Sequence, residues 1–204
     1  MGSFNWYTFF RPSTIFELAS DQVIYLGGFS KILGPGLRIG YIIGTNLISH
    51  RRLHSLKITN DLFTSTLSQK TCIEVFNTHR DDLFQDLRNF MRSKRDLALK
   101  TLENLFHQTK KAAFIDWSVP EGGVFLNIEF RMISRDQLYL LFKEAKENFN
   151  LYLESNQFHY LEQVTAFDTR INFVLNEDND LVEGLERLAA ACKRIGITSE
   201  GTLT

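Results

Sequence analysis

Residues 23–44 read VIYLGGFSKILGPGLRIGYIIG, and the fold turns on this stretch. It opens on an apolar run, Val23-Ile24-Tyr25-Leu26, bounded by Gly27 and Gly28. It closes on a second run, Arg38-Ile39-Gly40-Tyr41-Ile42-Ile43-Gly44. Short β-branched and aromatic runs bounded by glycine predict buried strands. Between them lie Lys31 and the turn Gly34-Pro35-Gly36, with Arg38 where the second run begins. Neither strand carries a cation at its centre. Both charges therefore fall where strands end, which is where α/β sheets bind ligands.

A lysine at the end of a buried strand loses solvation, and its neutral amine becomes accessible near neutral pH. Such an amine forms a Schiff base with a carbonyl. Past the Gly-Pro-Gly turn, Arg38 is able to fold back and face an anion beside Lys31. A carbonyl ligand carrying a phosphate satisfies both groups, and pyridoxal phosphate is the common one. A solvated loop lysine and a surface arginine are the plain alternative.

Phe29-Ser30-Lys31 followed by Pro35-Gly36-Leu37-Arg38-Ile39-Gly40-Tyr41 resembles the cofactor-lysine signature of fold-type I aminotransferases of class I/II. The nearest flavour is that of 2-aminoadipate-type aminotransferases and of the aminotransferase-like domains of MocR-type regulators in the GntR family. The resemblance implies pyridoxal 5'-phosphate as cofactor. Lys31 would hold it covalently and act as the catalytic base, and Arg38, with Ser30 beside the lysine, would bind its phosphate end. One position departs from the pattern: Gly28 stands where relatives place a serine or threonine hydroxyl. Loss of one hydrogen bond to a charged group costs about 1.5–3 kcal/mol if nothing replaces it. The aspartate and tyrosine that relatives direct at the pyridine ring would fall at or before Met1. Tyr7 and Asp21 lie too close to the lysine for those roles. The resemblance therefore covers about the C-terminal half of the family, with cofactor binding expected to be weak or lost.

Two later segments fit the same order. Pro120-Glu121-Gly122-Gly123-Val124-Phe125 resembles the family's Pro-x-Gly-Gly-x-Phe stretch near the substrate. Arg170-Ile171-Asn172-Phe173 resembles its Arg-Leu-x-Phe motif, which implies that Arg170 grips the substrate α-carboxylate in a bidentate pair. Taken singly, these are a glycine turn and a surface arginine; their order with Lys31 gives them weight. Glu154-Ser155-Asn156-Gln157-Phe158 stands where relatives carry a Pro-Gly pair and a phenylalanine, and only Phe158 fits.

The whole chain is ordinary for a globular protein, with 204 residues and 44% hydrophobic side chains. A formal net charge of −1 gives no electrostatic footprint for nucleic acid. No apolar run approaches a membrane span, and the start is unlike a signal peptide. Cys72 and Cys192 lack metal-ligand spacing and read as reduced, buried thiols of a cytoplasmic protein. The five histidines are scattered, and no metal site is expected. The basic run His50–His54 has an apolar back in Leu47, Leu53 and Leu56, and predicts a solvated face of a helix over 46–57. Further helices are predicted over 15–19, 67–76, 81–108, 134–148 and 179–194, and the segment 59–66 reads as a turn. Leu83, Leu87, Phe90, Met91, Leu97, Leu99, Leu102 and Phe106 form the apolar stripe of the longest helix, with Arg88, Arg92, Lys94, Arg95 and Lys100 on its other faces. Strands are predicted over 112–117, 123–130, 151–153 and 170–174.

The expected fold is α/β. Residues 1–77 would be the residual part of a large cofactor-binding domain, and 78–204 a connecting helix and small C-terminal α+β domain. The function implied by the resemblance is amino-group transfer between an amino acid and a 2-oxo acid, impaired in this chain alone. The alternatives are the effector-sensing or oligomerisation domain of a MocR-type regulator and a non-catalytic remnant. A homodimer or a partner chain is expected, because a partial large domain leaves sheet edges and apolar surface uncovered.

Overall fold

The computed structural model describes residues 13–44, 50–111, 114–131, 133–154 and 167–197. In chain order these form α1 (Ile15–Leu18), β1 (Tyr25–Gly28), a 3-10 turn (Pro35–Leu37), β2 (Gly40–Ile43), α2 (His50–Asp61), α3 (Thr66–Thr78) and α4 (Arg80–Lys111). There follow β3 (Ile115–Trp117), β4 (Phe125–Phe130), α5 (Arg135–Phe149), β5 (Phe167–Asn172) and α6 (Asp178–Arg194). The mixed α/β class expected from the sequence is observed. The chain divides into two compact units, Met1–Asn89 and Phe90–Thr204, with the divide inside α4.

In the first unit, Thr14 and Glu17 form a reciprocal capping box that starts α1. Strands β1 and β2 pair antiparallel, with Gly27 opposite Tyr41 and Leu26 opposite Ile42. A Cβ at Gly27 would collide with the tip of the Tyr41 ring, so any larger residue here displaces that ring. The Tyr41 ring packs between Tyr25 (6.1 Å) and Phe29 (5.4 Å), and the series continues from Phe29 to Phe76 and from Phe76 to Phe84. This chain of rings supplies much of a thin core, in which Ile39, Cys72 and Phe84 are buried. The expectation of buried strands is corrected here. Alternation turns Leu26 and Ile42 to the other face, where they are 72% and 52% exposed. Helix α2 continues to Asp61, beyond its expected end, and Leu62 then breaks it in the left-handed conformation (φ 51°). Residues 59–61, expected in a turn, are therefore helical.

The second unit is built on an antiparallel sheet of order β3-β4-β5. Leu126, Ile128 and Phe130 of β4 point to one face and are buried, as period two requires. Helices α5 and α6 contribute Leu138, Leu141 and Ala145, and Leu181, Leu185, Leu188, Ala191 and Cys192, to the buried set. Ser134 and Gln137 form the capping box of α5, and Asn150 ends it in the left-handed conformation. On the opposite sheet face Asp116, Glu129 and Asp168 stand in one cross-strand row. Arg131 bridges Asp116 at 2.9 Å and Glu129 at 2.7 Å. The segment 151–153, expected as a strand, joins no ladder among the described residues, and β5 begins at Phe167 and ends at Asn172, earlier than expected.

The buried face of α4 in this unit also differs from the apolar stripe read in the sequence. It runs Met91, Lys94, Ala98, Thr101, Leu102 and Phe106. Lys94, placed by the sequence among outward cations, is 7% exposed. Its ammonium donates to the Asn176 carbonyl at 2.8 Å and pairs with Asp178 at 2.6 Å. A buried cation is tolerated because both contacts satisfy it. The segments 1–12 and 155–166, with Phe158, lie outside the described residues.

Candidate functional site

The loop 30–38 joins β1 to β2 in the first unit. Its base is closed by the Phe29 amide donating to the Ile39 carbonyl at 3.0 Å. Ser30 and Arg38 each adjoin one member of that bonded pair, so the fold brings them to the same mouth. The amides of Ile32 and Leu33 both donate to the Phe29 carbonyl, at 3.0 and 2.8 Å. This single helical turn carries Ser30 and Lys31. On the return arm Gly34 has φ 132°, a value that favours glycine. The 3-10 turn Pro35–Leu37 then delivers Arg38 at φ 52° and ψ 40°. A left-handed arginine costs roughly 1–2 kcal/mol, and such strain clusters at ligand-binding sites. The Arg38 guanidinium folds back onto the Pro35 carbonyl at 3.4 Å.

Ser30 is half-buried, whereas Lys31 and Arg38 are exposed. The sequence expected a desolvated amine at the end of a buried strand. The described residues leave Lys31 in water, because its strand pair is covered on one face only. The donor set nevertheless fits an aldehyde bearing a phosphate: an amine for the carbonyl, and a guanidinium and hydroxyl for the anion.

Arg170 lies in the second unit, on edge strand β5. Its guanidinium carbon sits 4.3 Å from the Phe125 ring centroid, a cation-π stack that fixes its direction. Beside it a cavity of about 410 Å3 runs along β5 to α6, lined among others by Leu153, Glu154, Asn172 and Asp180. Two loops near these strands are tied to α4 by consecutive residues. Lys94 holds the β5–α6 connection through Asn176 and Asp178. Arg95 donates to the Pro120 carbonyl at 3.2 Å and so holds the Pro120–Gly123 turn, where Gly123 has φ 85°. The sequence offered no signal for either tie, since both residues resemble surface cations. Phe125 was legible only as part of a motif.

The α/β architecture is that of the aminotransferase class I and II fold. The chain belongs to the aminotransferase class I and II family, whose match covers residues 6–188. Aromatic-amino-acid aminotransferase 1 of Thermococcus litoralis is 31% identical over 173 residues, which is 84% of this chain and 39% of that protein. The uncharacterized HTH-type transcriptional regulator YdfD of Bacillus subtilis is 34% identical over 127 residues, 62% of this chain and 25% of the regulator. Among solved structures, LysN, the alpha-aminoadipate aminotransferase of Thermus thermophilus in complex with N-(5'-phosphopyridoxyl)-L-leucine, superposes with a TM-score of 0.78 at 25% identity. That match covers 94% of this chain and 48% of LysN. The chain thus spans less than half the length of each. Among the described residues no helix is long and apolar enough to cross a membrane, and no group of side chains has metal-binding geometry.

Proposed function

We propose that this chain supplies the lysine- and arginine-bearing portion of an aminotransferase that exchanges an amino group between an amino acid and a 2-oxo acid. Residues 1–77 belong to the cofactor-binding domain in this reading, and 78–204 to the connecting helix and small domain. Lys31 holds pyridoxal 5'-phosphate through its amine, and Arg38 and Ser30 bind the phosphate. When bound, the cofactor supplies an electron sink for the bond broken at the substrate α-carbon. Lys31 would move the substrate α-proton as general base. Arg170, held in direction by Phe125, binds the substrate carboxylate. The observation that carries this reading is the Phe29–Ile39 closure, which gathers Ser30, Lys31 and Arg38 on one loop. By itself the chain turns over poorly, because Lys31 is exposed and Gly28 offers no hydroxyl to the phosphate. A second copy or a partner chain on the uncovered Leu26–Ile42 face, in the cytoplasm, completes the picture.

The likeness to YdfD favours a second reading, in which the same fold senses the cofactor or an amino acid for a regulator. Both readings share one test. Pyridoxal 5'-phosphate is added to the purified chain and to Lys31→Ala, followed by borohydride reduction and peptide mapping. A yellow band fixed on Lys31 and missing in the variant is expected. An identical band in the variant would refute the role of Lys31.

A further inference from the structure

The stack of Arg170 on Phe125 is a diagonal pair across two strands. Register sets Arg170 opposite Asn127, and Phe125 opposite Asn172. Alternation puts these four residues on the sheet face turned away from the buried Leu126, Ile128 and Thr169. A diagonal contact spans more than a direct one, so it holds only while each strand keeps its place along the other. Phe125 is the weak member. It is the first residue of β4, it is 38% exposed, and the chain before it turns through Gly123 at φ 85°. A strand end of this kind frays unless the turn before it is held.

Arg95 of α4 holds that turn. Its Nη1 donates to the Pro120 carbonyl at 3.2 Å, across 25 positions of sequence. Its Nε and Nη2 both donate to one oxygen of Asp96, at 2.8 and 2.6 Å. A guanidinium is planar, so two nitrogens fixed on Asp96 fix the direction of the third. The neighbouring tie does not reach the stack in the same way. Asn172 accepts the Val174 and Leu175 amides at 3.0 and 3.2 Å and so closes the end of β5 locally. Lys94 grips the chain beyond that closure, at Asn176 and Asp178.

We infer that Arg95 is a positioning residue for Arg170. It acts through the Pro120 carbonyl: the held turn places the Phe125 ring, and the ring places the Arg170 guanidinium. A guanidinium already placed has less rotamer freedom to lose when it meets a ligand, so the effect of Arg95 falls on binding rather than on the bond-breaking step. The functional weight of this inference rests on the proposed role of Arg170 in binding the substrate carboxylate. The placement of Arg170 does not.

The test is a proton–nitrogen correlation spectrum of the full chain, without cofactor or substrate. The Arg170 Nε–H signal is identified by its loss in Arg170→Lys. Protons over an aromatic face are shielded, so Phe125→Leu should move this signal downfield. Arg95→Met should move it the same way, and Asp96→Ala should do so by a smaller step. Lys94→Met, which loses stability at the other tie, should leave it at the parent position. An unmoved signal in Arg95→Met would overturn the inference. So would an equal move in Lys94→Met, because the signal would then report general loosening. The Asp96 side chain is 55% exposed, so Asp96→Ala is the deciding variant if Arg95→Met does not fold, and an unmoved signal there overturns the inference too. The readout involves neither Lys31 nor a carboxylate ligand. Failure of those roles leaves this result standing, and failure here leaves those roles to their own tests.

Discussion

Replacing Lys94 with methionine removes a buried charge while keeping most of the stem that carries it. The ammonium makes one hydrogen bond to the Asn176 carbonyl at 2.8 Å and one ion pair with Asp178 at 2.6 Å. It also lies 5.6 Å from the Phe90 ring centroid. A hydrogen bond from a charged donor contributes about 1.5–3 kcal/mol. The lower end applies, because Asn176 is exposed and water can replace the lost donor. The Asp178 side chain is 68% exposed, so its pair adds at most about 1 kcal/mol. Relief from desolvating the ammonium offsets part of this sum. Lys94→Met should therefore lose about 1.5–2 kcal/mol. Lys94→Ala should lose roughly 2 kcal/mol more, since it also removes three buried methylenes at about 0.8 kcal/mol each. With a urea slope near 2 kcal/mol per M, the methionine variant should unfold about 0.8–1 M earlier at an unchanged slope. A midpoint within about 0.2 M of the parent would show that Lys94 is not what ties the β5–α6 connection to α4.

Three further outcomes follow from the same structure. Gly27→Ala should push the Tyr41 ring off its stack with Tyr25 and Phe29, costing about 1–3 kcal/mol at 0.5–1.5 per aromatic pair. Burial, and then Tyr25, hold the Tyr41 phenol above its usual range, so tyrosinate absorbance should appear at lower pH in that variant than in the parent. Burial pushes the Cys192 thiol up to about 12 from an ordinary value of 9.0. Above that ordinary value the unfolded chain loses a proton that the folded chain keeps, so stability falls between the two values by about 1.4 kcal/mol per pH unit. Urea midpoints measured across this range should decline less steeply in Cys192→Ala, and the thiol should resist disulfide reagents at neutral pH until unfolding. Gly184→Ala should raise stability by about 0.5–1 kcal/mol in the same urea assay, because nothing described meets its Cβ.

Most helices were legible because an apolar stripe or a capping pair marks them. Ser134 with Gln137 announces α5, and Leu181, Leu185, Leu188 and Cys192 trace the buried side of α6. Helix α4 was legible in extent but not in facing. Its inner row includes Lys94 and Thr101, and a pattern built from apolar letters cannot see a lysine whose charge is satisfied by a loop 82 positions away. The strands around Lys31 were legible as strands but not in their covering, since alternation leaves Leu26 and Ile42 on a face that no described residue buries. The candidate cofactor loop was readable because Lys31, the Gly-Pro-Gly turn and Arg38 are contiguous. The surroundings of Arg170 were not, because Phe125 reaches it only through the register of β4 against β5.

The two candidate sites stand on unequal foundations. Arg170 belongs to a unit whose sheet and helices bury a continuous set of apolar side chains, and whose loops are tied to α4 by Lys94 and Arg95. Lys31 belongs to a unit in which stacked rings support a single strand pair. Local opening follows the density of buried contacts, so the Lys31 loop should open at lower free energy than the Arg170 site. A ligand that bridges Lys31 and Arg38 binds only the closed loop and therefore stabilises it in proportion to the logarithm of its concentration. Amide hydrogen exchange resolved along the chain makes this concrete. Protection over 29–39 should rise on addition of pyridoxal 5'-phosphate, while β4 and β5 stay unchanged. Equal protection of both regions before addition would show that the ring stack holds the loop as firmly as the second unit's core holds Arg170.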